Sequence, residues 1–211
     1  MNILLTLGAT AEPVDGVRFI TNLSTGKTGC ALADGMAHAG HDVLALCGQY
    51  AQKPRLAKTL IFTDFADLNR QMRVQLGARD FDAVIHLAAV SDFSVSKVII
   101  DGKACAPAKL KKIPSGANIM LELKNNFKII DRLKKYAKND PFIIGFKLTN
   151  GAAAEAARTA ALGVAADLVV YNDLRDMRAG RRVFTLYRDG KSIVKYVGTA
   201  ALCKNLLRFC V

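Results

Sequence analysis

Two short runs of small residues near the N-terminus have the composition of phosphate-binding turns. An apolar run at residues 3–7 breaks into Gly8-Ala9-Thr10, and a second turn, Ser24-Thr25-Gly26-Lys27-Thr28-Gly29, opens a segment with helical spacing. Glycine and small hydroxyl residues let backbone N–H groups approach an anion closely. At a helix start those N–H groups are unpaired and carry about half a positive charge. Neither run is a complete nucleotide motif by itself. A dinucleotide loop needs G-x-G-x-x-G after the first strand and an acid ending the second, whereas residues 8–13 read Gly-Ala-Thr-Ala-Glu-Pro and the second strand ends in Cys47-Gly48-Gln49. The one Tyr-x-x-x-Lys pair, Tyr187 and Lys191, straddles Asp189-Gly190, a hairpin turn, which weakens the NAD(P)-dependent reductase alternative. Gly26-Lys27-Thr28 matches the tail of a Walker A loop, but Thr21 stands where its first glycine belongs.

These turns need a sheet and helices to position them. Residues 27–39 carry Ala31, Leu32, Met36 and Ala39 at helical spacing and stop at Gly40. A strand follows at 42–46. Thr63-Asp64 then caps a helix over 65–76, with Leu68, Met72 and Leu76 on one face. The nearly all-apolar residues 82–90 read as a strand buried on both sides of a parallel sheet. Residues 12–23 read as a loop. From 94 to 123 the alternation of strand and helix lapses into a Pro- and Gly-punctuated flap, with a short strand at 117–123. A helix over 128–138, a strand over 141–148, an alanine-rich helix over 152–164 and a fifth strand over 167–171 come next. A hairpin pairs 182–188 with 191–197 around Asp189-Gly190, and a helix over 199–209 closes the chain. The expected fold is α/β, a mostly parallel Rossmann-like sheet with helices on both faces, forming one domain over residues 1–211.

Thirty basic residues against eighteen acidic ones give a net charge of +12, and eleven basic residues face three acidic ones between Lys103 and Lys147. Between Lys109 and Lys138 only Phe127 and Tyr136 interrupt that charge, too few aromatics for a nucleic-acid surface. Polyanionic small molecules fit it better. The five cysteines, Cys30, Cys47, Cys105, Cys203 and Cys210, form no C-x-x-C and read as reduced, mostly buried thiols with no catalytic role. No stretch reaches the roughly 18 apolar residues of a membrane span, and the N-terminus lacks a basic signal-peptide start, so a cytoplasmic location is expected.

Gly8, Thr10, Glu12, Pro13, Asp15, Val17, Arg18, Ile20, Asn22, Ser24 and Gly26 resemble, in order and spacing, the opening of phosphopantothenoylcysteine synthetases. These ligases of coenzyme A biosynthesis are unrelated to ATP-grasp enzymes. Most read Gly-Gly-Thr at the first turn, so Ala9 is a departure. The resemblance continues at Ala88-Ala89-Val90-Ser91-Asp92-Phe93, which matches the family's Ala-Ala-Val-x-Asp segment on the nucleotide, and at Lys109-Leu110-Lys111-Lys112. There the family carries Lys-x-Lys-Lys in a mobile loop whose first lysine serves the chemistry. It implies catalytic roles for Lys109 and Asn22, and substrate contacts for Asn22, Lys111 and Lys112. It implies nucleotide contacts for Gly8, Ala9, Thr10, Ser24, Gly26, Ala88, Ala89, Asp92, Lys124, Asn125, Asn126 and Phe146. The N–H groups opening the 128–138 helix would assist. The implied reaction joins 4'-phosphopantothenate to L-cysteine through an acyl-cytidylate, with CTP as co-substrate, Mg2+ as cofactor and ATP as the alternative nucleotide. A homodimer is also implied, and the chain reads as a standalone form without a decarboxylase domain. One departure stands out: Ala160 and Val164 occupy places where family members carry lysines toward the triphosphate, and Arg158 is the one cation in that helix.

Overall fold

The computed structural model describes residues 1–210, so the last residue of the expected 1–211 domain lies outside them. In chain order, β1 (Asn2–Leu7) leads into a two-stranded hairpin, β2 (Ala11–Pro13) and β3 (Phe19–Thr21), followed by α1 (Lys27–His38), β4 (Asp42–Gly48), β5 (Lys58–Phe62), α2 (Phe65–Ala78) and β6 (Ala83–His86). Three antiparallel strands come next: β7 (Phe93–Ile100), β8 (Lys103–Cys105) and β9 (Ile119–Asn125). After them run α3 (Leu133–Tyr136), β10 (Phe142–Thr149), α4 (Ala154–Leu162), β11 (Leu168–Asp173), α5 (Leu174–Arg178), β12 (Val183–Arg188), β13 (Lys191–Val197) and α6 (Thr199–Leu206).

The main sheet has the order β13-β12-β11-β10-β6-β1-β4-β5, parallel from β11 to β5 and antiparallel at the C-terminal hairpin. Its six parallel strands follow the doubly wound order, in which winding reverses between β1 and β6, and ligands in such sheets bind outside the strand ends at that reversal. Alternation along β1 shows why both faces need helices. Ile3, Leu5 and Leu7 join one core with Leu32, Met36, Leu202 and Leu206 of α1 and α6, while Leu4 joins a second with Leu68, Met72 and Leu76 of α2 and Leu133 of α3. The expected fold class is thus the observed one.

Several local expectations are corrected. The 12–23 loop contains the β2–β3 hairpin, which Pro13, Gly16 and the three-residue length of its strands hide. The 94–123 flap is a sheet in its own right, with β7 between β8 and β9. β5 escaped notice because it is an edge strand: Leu60 and Ile61 are 39% and 43% exposed, so no buried apolar run marks it. The strand expected over 82–90 stops at His86. The helix expected over 128–138 is a 3-10 turn (Ile129–Arg132) and the single turn of α3, because the chain leaves helical geometry at Ala137 and Lys138 N–H donates to Leu76 O at the end of α2 (3.2 Å). α5 is a five-residue helix that sequence spacing does not resolve, capped by Asp173.

Candidate active site

Doubly wound sheets leave a crevice beyond the strand ends at the reversal, here between β1 and β6, and the two expected segments border it. Ala89 N–H donates to Gly8 O (2.7 Å), Thr10 N–H to Ala89 O (3.4 Å) and Ser91 N–H to Thr10 Oγ1 (3.0 Å), stitching Gly8-Ala9-Thr10 to Ala88-Ala89. Asn22, just past β3, reaches the same place: its Nδ2 donates to Ala89 O (3.4 Å) and Val90 O (3.2 Å). Three segments distant in sequence therefore converge on the carboxyl ends of two strands.

Glycines make this closeness possible. Gly8 (φ +84°) and Gly26 (φ +76°) both face Ala51, where an added Cβ would lie 2.5 and 2.9 Å from that methyl group. Gly48 is pressed on Ala9, with an added Cβ only 2.6 Å from its carbonyl oxygen. Gly26 also precedes α1, whose first turn has no side-chain cap. Ser24 is half-buried beside this turn. Lys53, which the sequence reading passed over, pins the supporting loop: its Nζ donates to Gly48 O (2.9 Å), Gln49 O (2.8 Å) and Ala51 O (2.6 Å).

Beneath the crevice, His86 is 8% exposed, and its Nδ1 is 3.0 Å from Thr6 Oγ1. That hydroxyl already accepts from Leu87 N–H (3.2 Å) and Ala88 N–H (3.1 Å), so its own proton goes to His86 Nδ1. The imidazole is therefore neutral with its proton on Nε2, and burial agrees, pushing its pKa down to about 4.

Asp92 ion-pairs with Lys128, both largely exposed, so the carboxylate is accessible at the rim. Asn126 is fixed by its amide, which donates to Ser91 O (3.1 Å) and Ser94 Oγ (2.9 Å). Ser94 Oγ donates in turn to the buried Glu12 carboxylate (2.6 Å), whose other oxygen accepts Phe65 N–H at the start of α2 (2.9 Å). Glu12 thus ties the three-stranded sheet to the main fold. Lys124 and Asn125 lie at the end of β9, opposite Ser94 and Phe93, and no long helix follows them. The expected anion site at a 128–138 helix start is therefore absent.

Lys109, Lys111 and Lys112 are all exposed on the 3-10 turn Pro107–Lys109 and the stretch after it. That stretch docks on the tip of the β2–β3 hairpin: Gly16 N–H donates to Leu110 O (2.8 Å) and Ile113 N–H to Asp15 Oδ2 (2.9 Å). Burial alone would raise the Asp15 pKa. The N–H groups of Ile113, Val17 and Arg18 and the Arg18 guanidinium outweigh it, so the carboxyl lies below its usual range. The hairpin's base carries Asn22 and its tip holds the lysine-bearing stretch, so the two expected catalytic residues are associated with opposite ends of the hairpin.

On β10, Phe146 packs partly against the core of α1 and α6 while Lys147 faces the other way. Ala160 and Val164 sit on and after α4, and Arg158 Nε donates to Gly190 O (3.0 Å), which commits it to the C-terminal hairpin. Asp173 accepts from Thr149 Oγ1 (2.7 Å) and from the N–H groups of Gly151 (2.9 Å), Arg175 (2.8 Å) and Ala152 (3.2 Å), so its carboxyl is held well below the usual range. All five cysteines are free, and Cys30 and Cys47 are buried. Burial pushes the Cys47 thiol up to about 12, which keeps it protonated. Among the described residues no cluster of three or more His, Cys, Asp or Glu could hold a metal ion, and no helix is long and apolar enough to cross a membrane.

The coenzyme A biosynthesis bifunctional protein CoaBC of Thermococcus kodakarensis is 33% identical over 177 residues, 82% of this chain and 41% of that protein. CoaBC of Bacillus subtilis is 33% identical over 181 residues, 85% of this chain and 42% of that protein. The chain therefore spans about half the length, or less, of these curated relatives. The crystal structure of the DNA/pantothenate metabolism flavoprotein from Streptococcus pneumoniae superposes with a TM-score of 0.84 at 26% identity, covering 99% of this chain and 97% of that one. A Cab2 mutant in complex with phosphopantothenate-cysteine has the same fold, with a TM-score of 0.75 at 16% identity over 99% of this chain and 84% of that one. Residues 1–200 match the DNA/pantothenate metabolism flavoprotein C-terminal domain, and the chain belongs to that family.

Proposed function

We propose that this chain is a phosphopantothenate-cysteine ligase of coenzyme A biosynthesis, using CTP to activate the acid. The observation that carries the reading is the convergence of Gly8-Ala9-Thr10, Asn22 and Ala88-Ala89 at the sheet's reversal, in a member of this family. A carboxylate is a poor electrophile, so amide formation in water needs a leaving group. Attack of the 4'-phosphopantothenate carboxylate on the α-phosphate of CTP expels pyrophosphate and leaves an acyl-cytidylate. The cysteine amine then attacks the acyl carbon, loses a proton and expels CMP.

The chain's own groups supply position and charge. Backbone N–H groups of residues 8–10 and of the first turn of α1, with Ser24 and Gly26, take the phosphates. Ala88, Ala89, Asn125, Asn126, Lys124 and Phe146 shape the nucleotide's seat. Asn22 spends its amide N–H groups on the Ala89 and Val90 carbonyls, so its Oδ1 faces the acyl group and orients it. Lys111 and Lys112 attract the substrate phosphate, and Lys109 stabilises the charge of the second transfer after its segment moves inward from the hairpin tip. Mg2+ commonly takes one or two carboxylates together with substrate phosphates, so Asp92 would hold it with the phosphates after leaving Lys128. Asp92 is the accessible carboxylate at the rim, and the ion would neutralise phosphate charge there. The working species is a cytoplasmic homodimer whose partners are small molecules, neither nucleic acid nor membrane.

Pyrophosphate release measured with 4'-phosphopantothenate and CTP or ATP in turn, with and without cysteine, tests the reading. Release with CTP in the absence of cysteine is expected, and no release with either nucleotide contradicts it. Lys109→Gln should retain pyrophosphate release yet accumulate acyl-cytidylate, and full amide synthesis by that variant would remove the role given to Lys109.

A further inference from the structure

Among the described residues, Lys53 and Lys147 are the two lysines that are only partly exposed over the whole residue. Their surroundings differ. The Lys53 ammonium is enclosed by three carbonyl oxygens, so its charge is used within the fold. Lys147 takes part in no hydrogen bond or ion pair among the described residues. Its charge therefore has no partner within the fold and is available to an anion that arrives with a ligand.

The position of Lys147 says which anion. Gly145 pairs with His86 in the ladder between β10 and β6, and Lys147 lies two residues further toward the carboxyl end, on the same face. Ala88 lies two residues beyond His86 on the neighbouring segment, so the register carries Lys147 level with the wall of the crevice. The face is fixed independently: a Cβ on Gly145 would meet Ile130, Val164 and Ala166, and Ile130 and Ala166 border the same core as Ala88 and Val90. Nearby groups have other commitments. Arg158 is bound to Gly190 O and Arg175 to Gly151 O (3.3 Å). Asp173, the carboxylate nearest along this edge, is engaged by Thr149, Gly151, Ala152 and Arg175.

We infer that Lys147 is a phosphate-binding residue of this site, contributing a positive charge from the carboxyl end of β10. The inference rests on the proposed function for the identity of the ligand, a nucleoside triphosphate. Its ammonium contacts the polyphosphate and not the base, so its effect scales with phosphate number.

Calorimetric titration of the full chain and of Lys147→Met and Lys147→Arg, with CTP, CMP and inorganic tripolyphosphate, separates the two claims. Methionine keeps the length and removes the charge. Lys147→Met should weaken CTP and tripolyphosphate by about 10- to 100-fold and CMP by less than about threefold, with Lys147→Arg close to wild type. Circular dichroism melting shows that each variant is folded. Unchanged CTP and tripolyphosphate affinity in Lys147→Met overturns the inference while leaving the proposed function intact. Tripolyphosphate binding that depends on Lys147, with no nucleotide binding by the wild type, keeps the inference and removes the nucleotide reading. Equal weakening of all three probes, or a loss that arginine does not restore, shows a structural role and overturns the inference.

Discussion

The crevice end of the parallel sheet and the three-stranded sheet beside it are held by different means. Around the crevice, backbone meets backbone: Gly8, Gly26 and Gly48 are each in contact with atoms that leave no room for a Cβ, and a core of buried residues from β1, β4, α1 and α6 lies directly below. The lysine-bearing side has a small core, with Val14, Val98 and Ile113 buried and Val95, Ile100, Leu110 and Leu121 half-covering it. It is attached mainly through two carboxylates, Glu12 and Asp15. Close packing fixes a geometry to fractions of an ångström, whereas a few hydrogen bonds can break and re-form at modest cost. The part that, under the proposed function, holds a polyphosphate in one place is built the first way. The part that carries Lys109, which the proposed function brings toward Asn22, is built the second way.

Glycine substitutions break the comparison most sharply. Gly48→Ala places a methyl group 2.6 Å from the Ala9 carbonyl and should cost about 4 kcal/mol of stability and abolish nucleotide binding. Gly102→Ala, at a turn of the three-stranded sheet with φ +82° and nothing within 4 Å of the added Cβ, should cost about 1 kcal/mol and leave binding unchanged. Urea unfolding paired with nucleotide titration reads both. Equal costs at the two positions would erase the distinction.

Acid should weaken the crevice side first. His86 is depressed to about 4 from an ordinary value near 6.5, so the unfolded chain takes up the proton more readily. The stability its neutral form contributes is fully present above pH 6.5, falls as the pH drops from there, and is lost below about pH 4. The total is about 3 kcal/mol. Asp15 and Asp173 are also depressed, but their losses begin only near and below pH 3.8. A stability profile between pH 7 and 4 should therefore flatten in His86→Phe and persist in Asp15→Asn. The reverse pattern would contradict the assignment of the Thr6–His86 bond.

A smaller effect is expected on the other side. Glu12→Ala strands Phe65 N–H and leaves Ser94 Oγ bonded to Asn126 alone, costing about 2 kcal/mol. It should raise hydrogen exchange along β7 and β9 more than along β1 and β6, as amide exchange mapped by mass spectrometry can show. Uniform exchange would mean that the two regions open together.

The division also explains what the sequence disclosed. β1, α1, β4, α2 and the C-terminal hairpin were legible because apolar periodicity and turn residues are local signals, and the crevice was legible because its glycine and small-residue turns are contiguous. Lys53, Lys147 and the Thr6–His86 pair left no local mark, since their roles depend on groups brought close by the sheet. Glu12 and Asp15 were visible as members of the opening motif, yet their work as anchors appears only when Phe65, Ser94 and Ile113 stand beside them. The three-stranded sheet was read as a flap because Pro107, Pro114, Gly102 and Gly116 outweighed its strand-forming residues.

The central claim is that the sheet's reversal between β1 and β6 holds the triphosphate of the activating nucleotide. A crystal structure of the protein with CTP tests it most directly. The account predicts phosphate oxygens within hydrogen-bond distance of the N–H groups at residues 8–10 and at the first turn of α1. Phosphates seated anywhere else, with that crevice unchanged, would contradict it.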